Sequence, residues 1–334
     1  MKRFWMRSFL TALCLASVVL HLAAADNSQS VTGIYEGFWS GANGARGRIT
    51  SQVRIVGQDK YDGFITFDRS RQLVAAVKMA SRDKSESGAI PFLGGGIKST
   101  FNGDLLPEMV AHIEIKNGKL TGTFKGELGE GTFEAEKIKK QSPTLGAKPP
   151  QKGKMIFDGK DTSQFESFPW KLTEEGAMRV QGGDIHAKDI LDSFRLHLEF
   201  RTPLMSEAQG QARGNSGVYL QSKYEVQVLD SFGLFPLQNN DCGGIYQIAA
   251  PPVNACLPPG EWQTYDITYL QGNPPMISVV QNGIQIIDKV KIPEKFLKDG
   301  TTAASRDRKN FLKLQDHGNP VEYRNIWVEP ITAE

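Results

Sequence analysis

Two residue types that often carry chemistry are scarce in this chain, which has three Cys and five His among its 334 residues. No pair of cysteines has the C-x-x-C spacing of a thiol redox motif. A structural zinc site needs four ligands, drawn mainly from Cys and His. The scarcity therefore argues against a redox protein and against a zinc-dependent fold.

A strong charge imbalance and long internal apolar runs are lacking as well. The chain has 39 basic and 37 acidic residues, whereas a nucleic-acid-binding domain usually carries a basic stripe. After residue 25, no apolar run reaches the roughly 18 residues that a membrane-spanning helix needs. We therefore expect no nucleic-acid partner and no membrane span in the mature chain.

The amino terminus has the pattern of a secretory signal peptide. Lys2, Arg3 and Arg7 precede a mostly apolar run over residues 9–22, and three alanines follow at 23–25. This pattern predicts cleavage near residue 25 and a secreted or periplasmic protein.

Export would place the two remaining cysteines in an oxidising compartment. Cys242 and Cys256 enclose 13 residues rich in Pro and Gly. Paired cysteines are common in exported proteins, and closing such a loop stabilises a fold by roughly 3 kcal/mol. We therefore predict a Cys242–Cys256 disulfide.

Composition divides the chain into segments. Residues 141–153 are rich in Pro, Gly and Lys and lack periodicity, which predicts a linker. On both sides of it, short alternating segments and hairpin signals such as Asn117-Gly118 and Asn282-Gly283 indicate antiparallel β-structure. The glycine-rich run 92–96 lacks the ending of a phosphate-binding loop, and we predict a flexible loop there. The predicted segments are a signal peptide (1–25), a small β barrel or sandwich with an accessory role (28–140), the linker (141–153) and a larger β domain (154–330).

The larger domain contains two neighbouring strands with polar residues on one face. In 215–220 and 224–230, Val218 and Val226 belong to the apolar face of their strands, and Glu225 and Gln227 alternate against Val226. A carboxylate and amides on an open sheet face suit the binding or cleavage of a sugar. Strands also hold such side chains more rigidly than loops do.

Motifs spread along the larger domain resemble one known family. They are Ile156–Asp161, Leu198–Arg201, Asn215–Val218, Tyr224–Asp230, Cys242–Tyr246, Pro259–Gln263, Asn282–Gly283, Leu314–Gly318 and Tyr323–Ile326. In this order and spacing they are similar to the 3-keto-disaccharide hydrolase domain. The resemblance implies an all-β, concanavalin-like jelly-roll sandwich, here preceded by a small antiparallel β domain. The charged approach 305–310 departs from the Gly-rich approach usual in the family.

The resemblance also implies a chemistry. A ketone at C3 of a hexose acidifies the C2 proton, so a base can remove it and the glycosidic oxygen at C1 can leave by elimination. Hydration of the product makes the net reaction a hydrolysis. The site then needs a base, an electrophile for the C3 enolate and an acid for the leaving oxygen. The partner implied is an oligosaccharide or glycoside substrate, and the enzyme is a hydrolase or lyase.

Strand alternation supplies the candidates for these roles. The predicted catalytic residues are Glu225, His317 and Arg324. The predicted substrate-binding residues are Asn215, Gln227, Arg201, Glu199, Asp230 and Tyr246. A divalent metal ion as Lewis acid is left open, with Glu225, Glu199 and His317 as its candidate ligands.

Each prediction has an alternative. Glu225 could pair with Arg201 or Arg324 in a structural network, and His317 could cap a turn. Trp262 is interpreted as a core residue rather than as a sugar platform. A jelly roll also hosts non-catalytic carbohydrate-binding modules, and this is the rival function. A third alternative is an interaction domain for a cell-surface complex, carried by the first unit.

Overall fold

The structure is a computed structural model that describes residues 31–83, 88–97, 100–101, 104–189, 191–297 and 311–331. The predicted signal peptide and the charged segment 305–310 lie outside these residues. The chain forms two compact units, which meet in sequence between Lys139 and Lys140. Among the described residues, no helix is long and apolar enough to cross a membrane.

The first unit is a closed antiparallel barrel of eight strands. In barrel order they are β1 (Gly33–Gly41), β10 (Gly129–Ile138), β9 (Lys119–Gly126), β8 (Met109–Lys116), β5 (Ile90–Gly96), β4 (Gln72–Ser81), β3 (Tyr61–Arg69) and β2 (Arg46–Ile55). The short pair β6 (Thr100–Phe101) and β7 (Asp104–Leu105) lies off the barrel, and a 3-10 turn spans Ala42–Gly44.

Alternating aromatic side chains fill the barrel. Trp39 and Phe67 both pack edge-on against Phe124, with ring centroids 5.9 and 5.4 Å apart. All three are buried, as the interior of a small barrel requires. The predicted Asn117-Gly118 hairpin is confirmed, because both residues have the positive φ of a type I′ turn (52° and 76°).

The predicted flexible loop at 92–96 is wrong, because these residues belong to strand β5. β5 pairs with β4 on one side and β8 on the other and so closes the barrel. A Cβ at Gly94 would lie 2.3 Å from Cγ1 of Val77 and one at Gly96 2.6 Å from the amide nitrogen of Met109. The glycines therefore permit close packing inside a strand rather than flexibility.

The second unit consists mainly of two antiparallel sheets. The large sheet runs in the order β12 (Lys171–Leu172), β13 (Met178–Arg179), β22 (Glu322–Pro330), β15 (Phe194–Arg201), β18 (Gln263–Leu270), β19 (Met276–Gln281) and β20 (Ile284–Lys291), with β11 (Lys154–Phe157) paired to β22. The small sheet runs in the order β14 (Ile185–His186), β21 (Leu312–Leu314), β16 (Ser216–Leu220) and β17 (Tyr224–Val228). Two 3-10 turns span Gly210–Ala212 and Glu294–Phe296.

The two sheets pack face to face over one core. The hydroxyl of Tyr265 in the large sheet donates to the backbone oxygen of Gln227 at 2.7 Å, and that of Tyr323 donates to Oγ of Ser216 at 2.7 Å. Val218 and Val226 of the small sheet point inward and are fully buried. The all-β prediction is therefore confirmed, and the architecture is the two-sheet sandwich that a jelly roll requires.

The segment predicted as a linker packs on the second unit. A strap, Ser142–Ala147, lies on the outer face of the large sheet. Ser142 bonds Thr264 at 2.6 Å, and the hydroxyl of Thr144 donates to Asp266 at 2.8 Å. The carbonyl of Ala147 accepts from the indole nitrogen of Trp327 at 2.9 Å. Composition predicted an extended chain, but backbone and hydroxyl groups of such a chain still seek hydrogen-bond partners.

The structure does not contain the predicted disulfide: Cys242 and Cys256 are both buried thiols. The side-chain nitrogen of Gln281 donates to both sulfurs, at 3.6 and 3.5 Å. The loop between the cysteines is held by other contacts, including the amide of Asn254, which donates to the carbonyls of Ser231 and Leu234. These contacts order the loop without a covalent link.

Candidate active site

One row of polar side chains crosses the outer face of the small sheet. The strand register places His186 opposite Lys313, Lys313 opposite Tyr219, and Tyr219 opposite Glu225. Directly opposed residues of antiparallel strands lie side by side on the same face. The row therefore collects an imidazole, an ammonium, a phenol and a carboxyl group from four strands.

Glu225 has the properties of a proton-transfer group. Its side chain is 9% exposed and accepts a hydrogen bond from the Tyr219 hydroxyl at 2.9 Å. Burial raises the pKa of Glu225 to about 7, although the hydrogen bond from Tyr219 and the charge of Lys313 both act to lower it. A carboxyl group with a pKa near neutrality exchanges a proton readily at physiological pH.

The phenol and the ammonium of the row are in contact. The ammonium of Lys313 lies 3.7 Å from the ring centroid of Tyr219 and 3.0 Å from Oδ2 of Asp184. Burial and the nearby Glu225 carboxylate raise the pKa of Tyr219. Tyr219 is therefore a neutral hydrogen-bond donor that connects the cation to the carboxylate.

A glycine makes room for this arrangement. A Cβ at Gly217 would lie 2.3 Å from Oε1 of Glu225 and 2.8 Å from the Tyr219 ring. The side chain of Gln315 donates to the Tyr219 hydroxyl at 3.2 Å. Gly217 and Gln315 thus fix the position of the phenol and the carboxyl group.

Tyr246, predicted to bind substrate, lies beside this row. Its amide nitrogen donates to the backbone oxygen of Glu225 at 3.0 Å, and its side chain is half-buried. The phenol acts on the pKa of Tyr219, which places the two side chains near each other. Glu225 and Tyr246 are therefore brought together.

Three other predicted binding residues are used in internal contacts. The amide of Gln227 donates to Oδ1 of Asn215 at 2.8 Å, and the amide of Asn215 donates to the carbonyl of Gln211 at 2.7 Å. Asp230 forms a buried ion pair with Arg213 at 2.6 Å. Asn215, Gln227 and Asp230 are each at most 3% exposed. All three side chains are therefore engaged inside the protein.

The remaining predicted residues lie on the other side of the sandwich. Glu199, Arg201 and Arg324 belong to the outer face of the large sheet, where Glu199 and Arg324 form an ion pair at 2.7 Å. Glu199 also accepts from the strap, from the amide of Gly146 at 2.6 Å. Alternation predicted the outward face correctly, but these residues do not converge with Glu225, because they belong to the opposite sheet.

Trp262 joins this second group and is not a core residue. It is half-buried, and the guanidinium carbons of Arg201 and Arg324 lie 4.6 and 4.0 Å from its ring centroid. Arg201 also binds Glu322. Burial opposes ionisation of Glu322, but hydrogen bonds from Arg201 and Arg179 hold its pKa below the usual range. The group is a charged network that supports the fold.

His317 is exposed and follows the small-sheet strand β21. It lies in a turn that Asp316 closes, since Oδ1 of Asp316 accepts from the amide of Gly318 at 2.8 Å. The preceding Gln315 reaches Tyr219, so the chain passes the row of polar side chains shortly before His317.

A metal centre finds no support in this geometry. Among the described residues, no three His, Cys, Asp or Glu side chains are grouped so that they could hold an ion. Two of the candidate ligands, Glu225 and Glu199, lie on opposite sheets. The charged neighbour nearest to Glu225 along the row is the ammonium of Lys313, which is not a metal ligand.

Sequence reasoning missed Tyr219, Lys313, Asp184 and His186 as members of the site. Tyr219 alternates against Val218, so its outward face was readable from the sequence. Lys313 is two residues before Gln315 and therefore belongs to the same face of the strand, but this alternation is a weaker indication of an outward-facing site residue. The strand that carries His186 is two residues long, too short for alternation to reveal.

Fold and site together define a β-sandwich protein with acid–base groups on the open face of its smaller sheet. The chain belongs to the family of the 3-keto-alpha-glucoside-1,2-lyase-like domain, whose family model matches residues 152–329. The match lies within the second unit, and both the strap and the barrel are outside it.

Two solved structures from Parabacteroides distasonis, each described as a candidate glycosyl hydrolase, are similar to this chain. One is 33% identical over 55% of this chain and 85% of its own, with a TM-score of 0.49. The other is 20% identical over 55% of this chain and 95% of its own, with a TM-score of 0.42. A comparison with curated proteins gives no match.

Proposed function

We propose that this protein is an exported carbohydrate-active enzyme that cleaves the glycosidic bond of 3-keto-glycosides. The family supports the substrate class, since its description names a lyase acting on a 3-keto-glucoside. The observation that carries the proposal is Glu225, a buried carboxyl group with a pKa of about 7 on an open sheet face. Export rests on the amino-terminal pattern over residues 1–25.

The proposed reaction begins with proton abstraction. The Glu225 carboxylate takes the C2 proton, the C2–H electron pair forms a C2–C3 double bond, and the C3 carbonyl oxygen becomes an enolate. The enolate then collapses, a C1–C2 double bond forms, and the C1–O bond breaks with its electron pair on the leaving oxygen. That oxygen takes up the proton that Glu225 removed from C2 and departs as an alcohol, which returns Glu225 to its carboxylate form. Addition of water across the C1–C2 bond completes a hydrolysis.

The site meets the requirements of this reaction. A base with a pKa near neutrality is strong enough to remove an acidified proton and is regenerated at the same pH. Tyr219 is a neutral donor at 2.9 Å from Glu225 and suits a developing negative charge. The half-buried ring of Tyr246 provides an apolar surface beside them for the sugar.

Turnover of a 3-keto-sugar tests the proposal. Purified protein is incubated with 3-keto-trehalose, and the products are followed by mass spectrometry. We expect an unsaturated keto-sugar or a released monosaccharide, and we expect Glu225→Gln to lower kcat at least about 100-fold, since it removes the base. Glu199→Gln, which alters a carboxyl group on the opposite sheet, serves as the matched control and should retain activity.

The same experiment also distinguishes the proposed enzyme from a non-catalytic carbohydrate-binding module. Binding of 3-keto-trehalose without turnover, at several pH values and with added divalent ions, would contradict an enzyme and favour a carbohydrate-binding module. Equal loss of activity in Glu225→Gln and Glu199→Gln would contradict the assignment of the site.

A further inference from the structure

The proposed reaction needs a positive charge near the C3 oxygen of the sugar, where the enolate forms. The structure shows which residue of the site can supply it. The two arginines predicted to act at the site, Arg324 and Arg201, lie on the large sheet, where Arg324 pairs with Glu199 and Arg201 pairs with Glu322. Neither contacts the row that contains Glu225. The enolate oxygen that forms at C3 carries a full negative charge in the reaction. A nearby positive charge in a partly buried site would stabilise it strongly.

Lys313 is a cation in that row. It lies between His186 and Tyr219 in the strand register, and its side chain is 17% exposed. Its ammonium is 3.7 Å from the Tyr219 ring centroid. An ammonium held over an aromatic face is attracted to the ring electrostatically. The ammonium also acts on Glu225 itself.

Asp184 holds this ammonium in place and is itself fixed. Its Oδ2 pairs with Lys313 at 3.0 Å, while its Oδ1 accepts from the backbone amide of Asp316 at 2.8 Å. The link is reciprocal, because Oδ2 of Asp316 accepts from the amide of Gly183 at 2.8 Å. Reciprocal hydrogen bonds thus hold the segment 183–184 against Asp316, and Asp184 in turn holds the ammonium of Lys313.

We propose that Lys313 is the catalytic cation of this enzyme, which binds the C3 oxygen of the keto-sugar and stabilises its enolate, and that Asp184 is its positioning residue. The proposal rests on the proposed function and deepens it. Lys313 donates a hydrogen bond to the ketone in the ground state and a stronger, charge-assisted one to the enolate. Because the interaction strengthens as charge develops, it raises kcat more than it lowers KM.

Variants at both positions test the proposal by steady-state kinetics with 3-keto-trehalose. We expect Lys313→Met to lower kcat about 100- to 1,000-fold and to raise KM by a much smaller factor, about 5- to 10-fold. Lys313→Arg keeps the charge and should lose less than about 10-fold. Asp184→Asn leaves the ammonium present but unanchored, and an intermediate loss is expected. Lys154→Met is the matched control, since Lys154 pairs with Asp189 at 2.6 Å elsewhere on the sandwich.

The pH profile tests whether the charge of Lys313 acts on Glu225, while the split between kcat and KM and the rescue by Lys313→Arg separate a catalytic role from a merely structural one. The groups that act on the Glu225 carboxyl are Tyr219, Lys313 and Asp184. Lys313 lowers the pKa of Glu225, so Lys313→Met should move the acid limb of the kcat/KM profile to higher pH. Lys154→Met should leave that limb in place.

The results distinguish failure of this proposal from failure of the proposed function. If the wild type turns over and Lys313→Met keeps kcat within about 10-fold, the role of Lys313 alone is overturned, wherever the acid limb lies. Absence of wild-type turnover would overturn the proposed function. Calorimetry with 3-keto-glucose then decides on Lys313: a loss of affinity of about 5-fold or more in Lys313→Met supports contact with the ketone, and unchanged affinity overturns it.

Discussion

At the scale of single residues, Glu225 shows how burial and local partners together set a chemical property. Burial disfavours the carboxylate, whereas the Tyr219 hydroxyl and the Lys313 charge favour it. The first effect is the larger one, and the pKa rises to about 7. A surface glutamate with the same two partners would be ionised throughout the neutral range and would be a weaker base.

This property predicts an unusual dependence of stability on pH. Between about pH 4.5 and 7 the folded protein keeps a proton on Glu225 that the unfolded chain has released, so the free energy of unfolding falls as pH rises through this window. The rise of the pKa from 4.5 to about 7 corresponds to about 3 kcal/mol. Glu225→Gln removes the charge, and we expect it to stabilise the protein at about pH 8 by up to this amount and to have little effect near pH 4.

Urea denaturation of the variant at both pH values measures the effect. Glu322→Gln provides a control of opposite sign, because the pKa of Glu322 is lowered by its arginine partners. That substitution should destabilise the protein at about pH 8, and its effect should fade only below about pH 4.5, as pH falls through the lowered pKa of Glu322. A Glu225→Gln variant that is less stable than the wild type at about pH 8 would contradict the account of Glu225.

Alternation of apolar and polar residues predicted Glu225 correctly as an outward-facing residue of a strand, and the structure places it among acid–base partners. The same rule placed Glu199, Arg201 and Arg324 on an outward face, which is also observed. It gave no information on which of two sheets each strand joins, because a period of two residues describes one strand alone. Convergence of these residues with Glu225 was therefore the part that failed.

At the scale of elements, the strap shows why composition alone misjudged residues 141–153. Pro, Gly and Lys predict an extended, irregular chain, and the chain is irregular. Its hydrogen bonds nevertheless go to side chains of the large sheet, including Glu199 and Trp327. Long-range contacts of this kind leave no local pattern in the sequence. Strand β5 was missed for a related reason, because its glycines were read as flexibility.

Glu199 binds the strap, so substitutions at this position test whether Glu199 stabilises the fold or takes part in the reaction. Glu199 is 1% exposed and accepts from Gly146, Asn325 and Arg324. We expect Glu199→Ala to lower the free energy of unfolding by about 2–3 kcal/mol, because it leaves buried donors without partners. Glu199→Gln retains an acceptor for the strap and should cost less.

Urea denaturation and turnover of the folded fraction, measured side by side, separate the two roles. The folded Glu199→Ala protein should keep a near wild-type kcat, because the proposed chemistry lies on the other sheet. A stable variant with a lost kcat would show instead that Glu199 takes part in the reaction.

At the scale of the whole molecule, each unit was predictable in class from its hairpin signals and alternating strands. The family match reaches the second unit only, and the closed barrel of the first unit contains no residue of the proposed site. The barrel closes through strand β5, and because the sequence did not predict this strand, it did not predict the closure of the barrel. The face that carries the chemistry could be identified only once the order of strands in the small sheet was known.

In the proposed function, the reacting sugar binds on the outer face of the small sheet. A crystal structure of the full-length Glu225→Gln variant soaked with 3-keto-trehalose tests this placement most directly. We expect the C2 atom of the keto-sugar to lie within about 3.5 Å of the side chain at position 225, with its C3 oxygen at the ammonium of Lys313. A sugar bound instead beside Trp262 and Arg324 on the large sheet, or on the barrel, would contradict it.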